Sequence, residues 1–137
     1  MADQLADDFG ILGEASERAE YLEEMGRSLP NLFDMLKRVT TRVPGCMSEV
    51  YLVARPSPRQ PDLLEFVADA NSSIVRGLIA LLQRLFSGQS AAKVLAFDID
   101  GFFQRIGLEQ FLTAKRRMGL DGMVRRIRSE AAAITSK

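Results

Sequence analysis

The 137-residue chain has no histidine, no tryptophan and one cysteine, Cys46. Without histidine, neither a Cys–His pair nor a Ser–His–Asp triad can be built within the chain. With one cysteine, no disulfide closes inside it, and an iron–sulfur cluster cannot be held in the usual four-cysteine way. A zinc site would have to use one thiolate and carboxylates alone, a poor donor set for that ion. Neither a Gly-x-x-x-x-Gly-Lys phosphate loop nor a Gly-x-Gly-x-x-Gly fingerprint occurs. No run approaches the roughly 18 consecutive apolar residues of a membrane span. The first eight residues are acidic and lack the basic start and apolar stretch of a signal peptide. Free thiol chemistry and the absence of a leader fit a reducing cytoplasm, so a cytoplasmic location with no membrane partner is expected.

What is present is ordinary for one globular domain. Apolar residues make up 47% and charged residues 26%, with a formal net charge of zero. That balance argues against a nucleic-acid partner, because such domains usually carry a basic excess. The charge is unevenly placed. Residues 1–24 hold eight acids and one base, whereas residues 115–128 hold six bases and one acid. Two surfaces of opposite sign are expected, either of which could steer a partner.

The apolar spacing predicts the elements. Ala15, Ala19, Leu22, Met25 and Leu29 recur at helical intervals, and the first 30 residues read as helical up to Pro30. A short helix is expected over residues 31–37, followed by a connection over 38–45. Residues 50–53 and 63–67 are β-favouring, and the Pro-rich stretch between them suggests an antiparallel pair. From Ser72 to Gly88 the apolar residues cover more than one face, which predicts a nearly buried helix with Asn71 or Ser72 as N-cap. Ser90 is a cap for a shorter helix, and residues 98–107 read as irregular or briefly helical. The last helix runs from about 113 to 134, with Leu120, Met123, Val124, Ile127, Ala131 and Ile134 facing inward. The order predicts an α+β fold: a small antiparallel sheet packed against several helices. The whole chain, 1–137, reads as one domain, with residues 1–14 as a variable or flexible N-terminus.

Cys46 is the residue that carries chemistry. Pro44 and Gly45 favour a turn before it, and a strand follows, which sets the thiol at the tip or shoulder of a loop. A free thiol titrates near about 8.5, so it needs a nearby cation, a helix N-terminus or a partner's site to become a good nucleophile. The alternative is a small buried hydrophobe, a common fate of free cysteine.

The segment Gly45-Cys46-x-Ser48-x-Val50 resembles the SufE family of sulfur acceptors. The resemblance continues through residues 73–80 (SIVRGLIA), through Gly107-Leu108 and Leu112-Thr113, and through Arg116-x-x-Gly119-Leu120-x-x-Met123-Val124-x-x-Ile127-Arg128. It spans about residues 15–134 and implies a SufE/IscU-like α+β fold, with a small antiparallel sheet of about three strands packed against several helices. It also implies that Cys46 takes sulfur as a persulfide from a pyridoxal-phosphate-dependent cysteine desulfurase, SufS-like or related. The sulfur then passes to iron–sulfur assembly, with a SufB-like scaffold as acceptor. On this reading the chain is an accessory persulfide carrier rather than a stand-alone enzyme. It has no resident cofactor, since the pyridoxal phosphate belongs to the partner. Gly45 and Ser48 would shape the loop, while Asp69 and Arg116 would serve partner contact or, for Arg116, thiolate stabilisation. A turn or cap role is the alternative for Asp69, and a solvated helix start is the alternative for Arg116. Tyr51, Met47, Asn71 and Phe111 stand where tryptophan, glutamine, aspartate and histidine are common in the family. A regulator or adaptor that binds a desulfurase without accepting sulfur is the competing reading. Asp98 and Asp100 are expected to be loop acids rather than metal ligands, and the basic C-terminal face to be solvated or to meet an acidic partner.

Overall fold

The computed structural model describes residues 2–45 and 48–135. Two β-rich runs pair as expected. Strands β1 (Val50–Pro56) and β2 (Leu63–Ala70) are antiparallel, with Val50 opposite Ala70 and Pro56 opposite Leu64. A two-residue β3 (Gln89–Ser90) joins the other edge of β2, giving the order β1-β2-β3.

Seven helices are found among the described residues: α1 (Ala2–Ile11), α2 (Ala15–Arg27), α3 (Phe33–Val39), α4 (Ser73–Phe86), α5 (Ala91–Ala96), α6 (Ile99–Arg105) and α7 (Ala114–Thr135). None is long and apolar enough to cross a membrane. Helix α4 is the central element, with Val75, Leu78, Ile79, Leu81, Leu82, Leu85 and Phe86 all buried. Helix α2 crosses it at a pair of glycines. A Cβ on Gly26 would come 2.6 Å from the Gly77 nitrogen, and a Cβ on Gly77 would run into the Leu22 carbonyl. The two backbones therefore touch as no larger residue would allow. Helix α7 buries the expected stripe, Leu120, Met123, Val124, Ile127 and Ala131, against the same core.

The structure departs from the sequence reading at the N-terminus. The first 30 residues are not one helix but two, separated by Leu12, Gly13 and Glu14. The break lets α1 fold back, and residues 1–14, expected to be variable or flexible, supply Leu5 and Phe9 to the core. Phe9 stacks on Phe111 (ring centroids 6.1 Å apart) and meets Tyr21 edge-on at 5.1 Å. Arg18 ties the corner together by donating to the Leu12 and Ile106 carbonyls at 2.9 and 3.1 Å.

The small caps mostly follow the sequence. Ser90 accepts from the Lys93 amide and Asp98 from the Gly101 amide, each closing the first turn of its helix. Gly88 stops α4 with φ +80°, a left-handed conformation that glycine accepts without strain. Ser72 does occupy the N-cap position of α4, but its hydroxyl makes no capping bond there.

Candidate functional site

Cys46 and Met47 lie outside the described residues, so the site is built from what brackets them. The loop's stem is the antiparallel bridge between Arg42 and Tyr51, reinforced by the Val43 amide donating to the Val50 carbonyl at 2.8 Å. Gly45 follows Pro44 with φ +83°, a turn geometry in which a side chain is strained. On the far side of the tip, Arg42 Nη2 donates to the Ser48 carbonyl at 3.4 Å. The Glu49 amide donates to Asn71 Oδ1 at 3.0 Å, and the Asn71 amide donates to the Glu49 carbonyl at 3.3 Å. The two ends of the thiol-bearing segment are thus pinned by several independent bonds.

Helix α7 forms the wall behind the loop. Its Gly122 lets the Pro44 carbonyl approach closely: a Cβ there would stand 2.7 Å from that oxygen. Between the loop, the start of α4 and the start of α7 lies a cavity of about 600 Å³. Its floor is apolar, made by Val50, Val75, Leu78, Leu120 and Met123, and Ser48, Asn71, Lys115 and Arg116 line it with polar groups. Arg116 is half-buried and donates from Nη1 to Ser72 Oγ at 3.0 Å, the same hydroxyl that makes no capping bond to α4. The cavity brings Ser48 and Arg116 together, with Gly45 at the adjoining turn.

Asp69 is not part of this assembly. It is 1% exposed on β2 and offers no surface to a partner. Its carboxylate accepts from the Leu32 amide at 2.9 Å and the Ala70 amide at 2.8 Å, and pairs with Arg76 at 3.3 Å. The partner-contact expectation for Asp69 is therefore corrected to a structural one: it anchors the start of α3 and the first turns of α4 to the sheet. Asp98 is a helix cap, and Asp100 pairs with Arg117 at 3.2 Å. No group of three or more metal-ligating side chains is found among the described residues.

The basic C-terminal face also differs from expectation. Arg117 is held by Asp100, Asp121 and Glu109, and its guanidinium lies 4.9 Å from the Phe103 ring centroid. Arg126 donates to Thr40 Oγ1 and the Leu52 carbonyl, and Arg128 to the Phe97 carbonyl at 2.7 Å. These arginines join α7 to the rest of the fold instead of forming one open patch. Two of the family departures acquire local roles. Asn71 secures the loop as described, and Phe111 packs on Phe9. Sequence reasoning missed Arg42, Arg125 and Gly122 as neighbours of the loop. Only the recurrence of small residues at Gly119 and Gly122, one helical turn apart, marked a close approach to α7.

The comparisons with known proteins agree with this geometry. A family model described as "Fe-S metabolism associated domain", SufE, matches residues 3–131. An uncharacterized SufE-like protein of Rhizobium meliloti is 38% identical over 130 residues, covering 94% of this chain and 93% of its own. One from Rhizobium etli is 39% identical over 131 residues, covering 94% and 88%. The solution structure of a hypothetical protein from Thermus thermophilus superposes with a TM-score of 0.80 over 99% of this chain and 96% of its own, at 21% identity. At that identity the likeness establishes the fold alone.

Proposed function

The chain belongs to the SufE family, whose domain serves iron–sulfur metabolism, and on that premise we propose that Cys46 accepts and carries a single sulfur atom. The donor is the persulfide of a pyridoxal-phosphate-dependent cysteine desulfurase. The Cys46 thiolate attacks the outer sulfur of that persulfide. The donor's sulfur–sulfur bond breaks, a new one forms on Cys46, and the donor cysteine leaves as a thiolate. No oxidant or reductant enters, and the demanding carbon–sulfur cleavage stays with the partner's cofactor. A second exchange of the same kind hands the sulfur to a cluster scaffold, in the reducing environment where free thiols persist.

The observation that supports this reading is the geometry of the residues that bracket the only cysteine in the chain. On one side Val43 is bonded to Val50, on the other Glu49 is bonded to Asn71, and Ser48 lines a cavity with an apolar floor and polar groups. The chain needs neither a histidine nor a second cysteine for one sulfur to be accepted and passed on.

The test is intact-mass analysis after incubation with a cysteine desulfurase and free cysteine. The expected result is a mass gain of one sulfur, removed by reductant and absent in Cys46→Ser. No gain on Cys46, or full stimulation of the desulfurase by Cys46→Ser, overturns the proposal and favours a regulator that never holds the sulfur.

A further inference from the structure

The cavity between Ser48, the start of α4 and the start of α7 is large enough to hold a molecule. Its volume is about 600 Å³, inside the range of about 300–1,000 Å³ typical of small-molecule sites. Its lining divides by chemistry. Val50, Val75, Leu78, Leu120 and Met123 make the apolar floor. All five are buried members of the main core, so the floor is held in shape by the packing beneath it.

The polar side carries charge of one sign. Lys115 and Arg116 both line the cavity, and no acid does. Lys115 is exposed and has no ion-pair partner among the described residues. Arg116 is half-buried and gives Nη1 to Ser72 Oγ at 3.0 Å, which leaves most of the five N–H donors of its guanidinium. The acids closest in sequence to the lining are engaged elsewhere: Asp121 with Arg117 at 3.1 Å, and Glu49 with Lys37 at 3.8 Å. Ser48, Asn71 and Thr113 add neutral polar groups. Helices α4 and α7 both begin beside the cavity, and their amide ends add to the same positive field.

Floor and rim together specify a ligand class. An inorganic anion would leave the floor uncovered. An uncharged hydrocarbon would leave the two cations without a counter-charge, and an amine would be repelled by them. We propose that this cavity binds a small amphipathic carboxylate. Its apolar body lies on the Val50, Leu78 and Leu120 floor, and its carboxylate meets Lys115 and Arg116 through charge-assisted hydrogen bonds. The proposal holds whether or not Cys46 carries sulfur, and sulfur loading enters none of its readouts.

The experiment is calorimetric titration of the intact protein with octanoate, octanol and octylammonium, three probes of one length that differ in charge. Octanoate is expected to bind saturably, at one molecule per chain, and the other two at least about tenfold more weakly. Hexanoate is expected to bind about tenfold more weakly than octanoate, because each buried methylene is worth roughly a factor of four. Lys115→Gln/Arg116→Gln is expected to weaken octanoate by about tenfold or more and to leave octanol unchanged. Arg116 also holds Ser72, so Lys115→Glu serves as a second variant whose exposed side chain puts no packing at risk. It is expected to weaken octanoate and strengthen octylammonium. Methyl NMR locates the site, with shifts expected at Val75, Leu78, Leu120 and Met123. Any one of four results overturns the proposal: no saturable octanoate binding, equal affinity for octanol, an octanoate affinity unchanged in both variants, or methyl shifts confined to other residues.

Discussion

Replacing Asp69 separates a structural residue from a docking one. Its carboxylate is buried and receives two backbone amides, Leu32 at 2.9 Å and Ala70 at 2.8 Å, as well as the Arg76 ion pair at 3.3 Å. A hydrogen bond to a charged group is worth about 1.5–3 kcal/mol, and breaking a buried pair from one side costs about 3–5 kcal/mol. These values overlap and do not add. Arg76 also keeps part of its support, because it still donates to Asn31 Oδ1 at 3.0 Å and to the Leu29 carbonyl at 2.8 Å. The Leu32 amide has no such substitute. Asp69→Ala is therefore expected to cost about 3 kcal/mol, at the low end of the buried-pair range, and to lower the melting temperature by about 10 °C. Asp69→Asn, which keeps the shape and one acceptor oxygen, is expected to lose about half as much. Urea denaturation followed by circular dichroism measures both. Sulfur loading of Cys46, assayed well below the melting transition, is expected to stay near its original extent. A loss below about 1 kcal/mol in Asp69→Ala together with abolished loading would refute the reasoning and return Asp69 to the partner surface.

Two further substitutions probe the loop wall and the N-terminal corner. Gly122→Ala puts a methyl 2.7 Å from the Pro44 carbonyl; better helix propensity, about 1 kcal/mol, offsets much of a steric cost of about 1–3 kcal/mol. Net stability is expected to move by no more than about 1–2 kcal/mol, while the loop lifts from α7 and Cys46 alkylation accelerates; an unchanged alkylation rate would count against the close approach. The Tyr21 hydroxyl titrates above its ordinary 10.0, first because burial disfavours the phenolate and then because the Asp8 carboxylate lies beside it. Its oxygen is 3.3 Å from Asp8 Oδ2. The neutral form is the one the fold prefers, so this contribution to stability is complete below pH 10 and is lost as pH rises through the folded value. Asp8→Asn, in a Tyr51→Phe background, is expected to lower the tyrosinate absorbance midpoint without restoring 10.0, since burial remains. A midpoint that does not fall would show that Asp8 contributes nothing.

The elements legible in the sequence were those whose signal is local. β1 and β2 announced themselves through Val50, Tyr51 and Val53 and through Leu63 to Val67, with prolines between them, and they pair as expected. The stripes of α4 and α7 likewise bury the residues their periodicity assigns. β3 was illegible because two residues carry no pattern; only Leu63 opposite Ser90 and Leu64 opposite Gln89 make it a strand. The break between α1 and α2 had a faint sign in Gly10 and Gly13, but the reason for it is the distant Phe111, which Phe9 must reach. Arg126 and Arg128 fall off the apolar stripe, as spacing says, yet long side chains let them find the Leu52 and Phe97 carbonyls. Asp69 misled for a similar reason. It falls past the run read as a strand over 63–67, where an acid reads as a turn, cap or contact residue, and only the fold extends the strand to it and brings the Leu32 amide and Arg76 to it. Gly45 and Arg125 are likewise joined only by the fold.

The absence of histidine shapes how such a site can work. A histidine beside a thiol takes its proton, but it also titrates near neutrality, so the thiolate it supports varies with its own charge state. Arginine removes that second titration. It accepts no proton and acts only through its field and its donors. For the sulfur carrier proposed above, that division would keep the charge environment constant while the sulfur is taken, held and released, and would leave proton transfer to water or to the partner's site. The loop geometry suits the same end. The Val43–Val50 bond, the Arg42–Ser48 bond and the Glu49–Asn71 pair fix both ends of the segment, and Gly122 seats the Pro44 carbonyl against a buried helix.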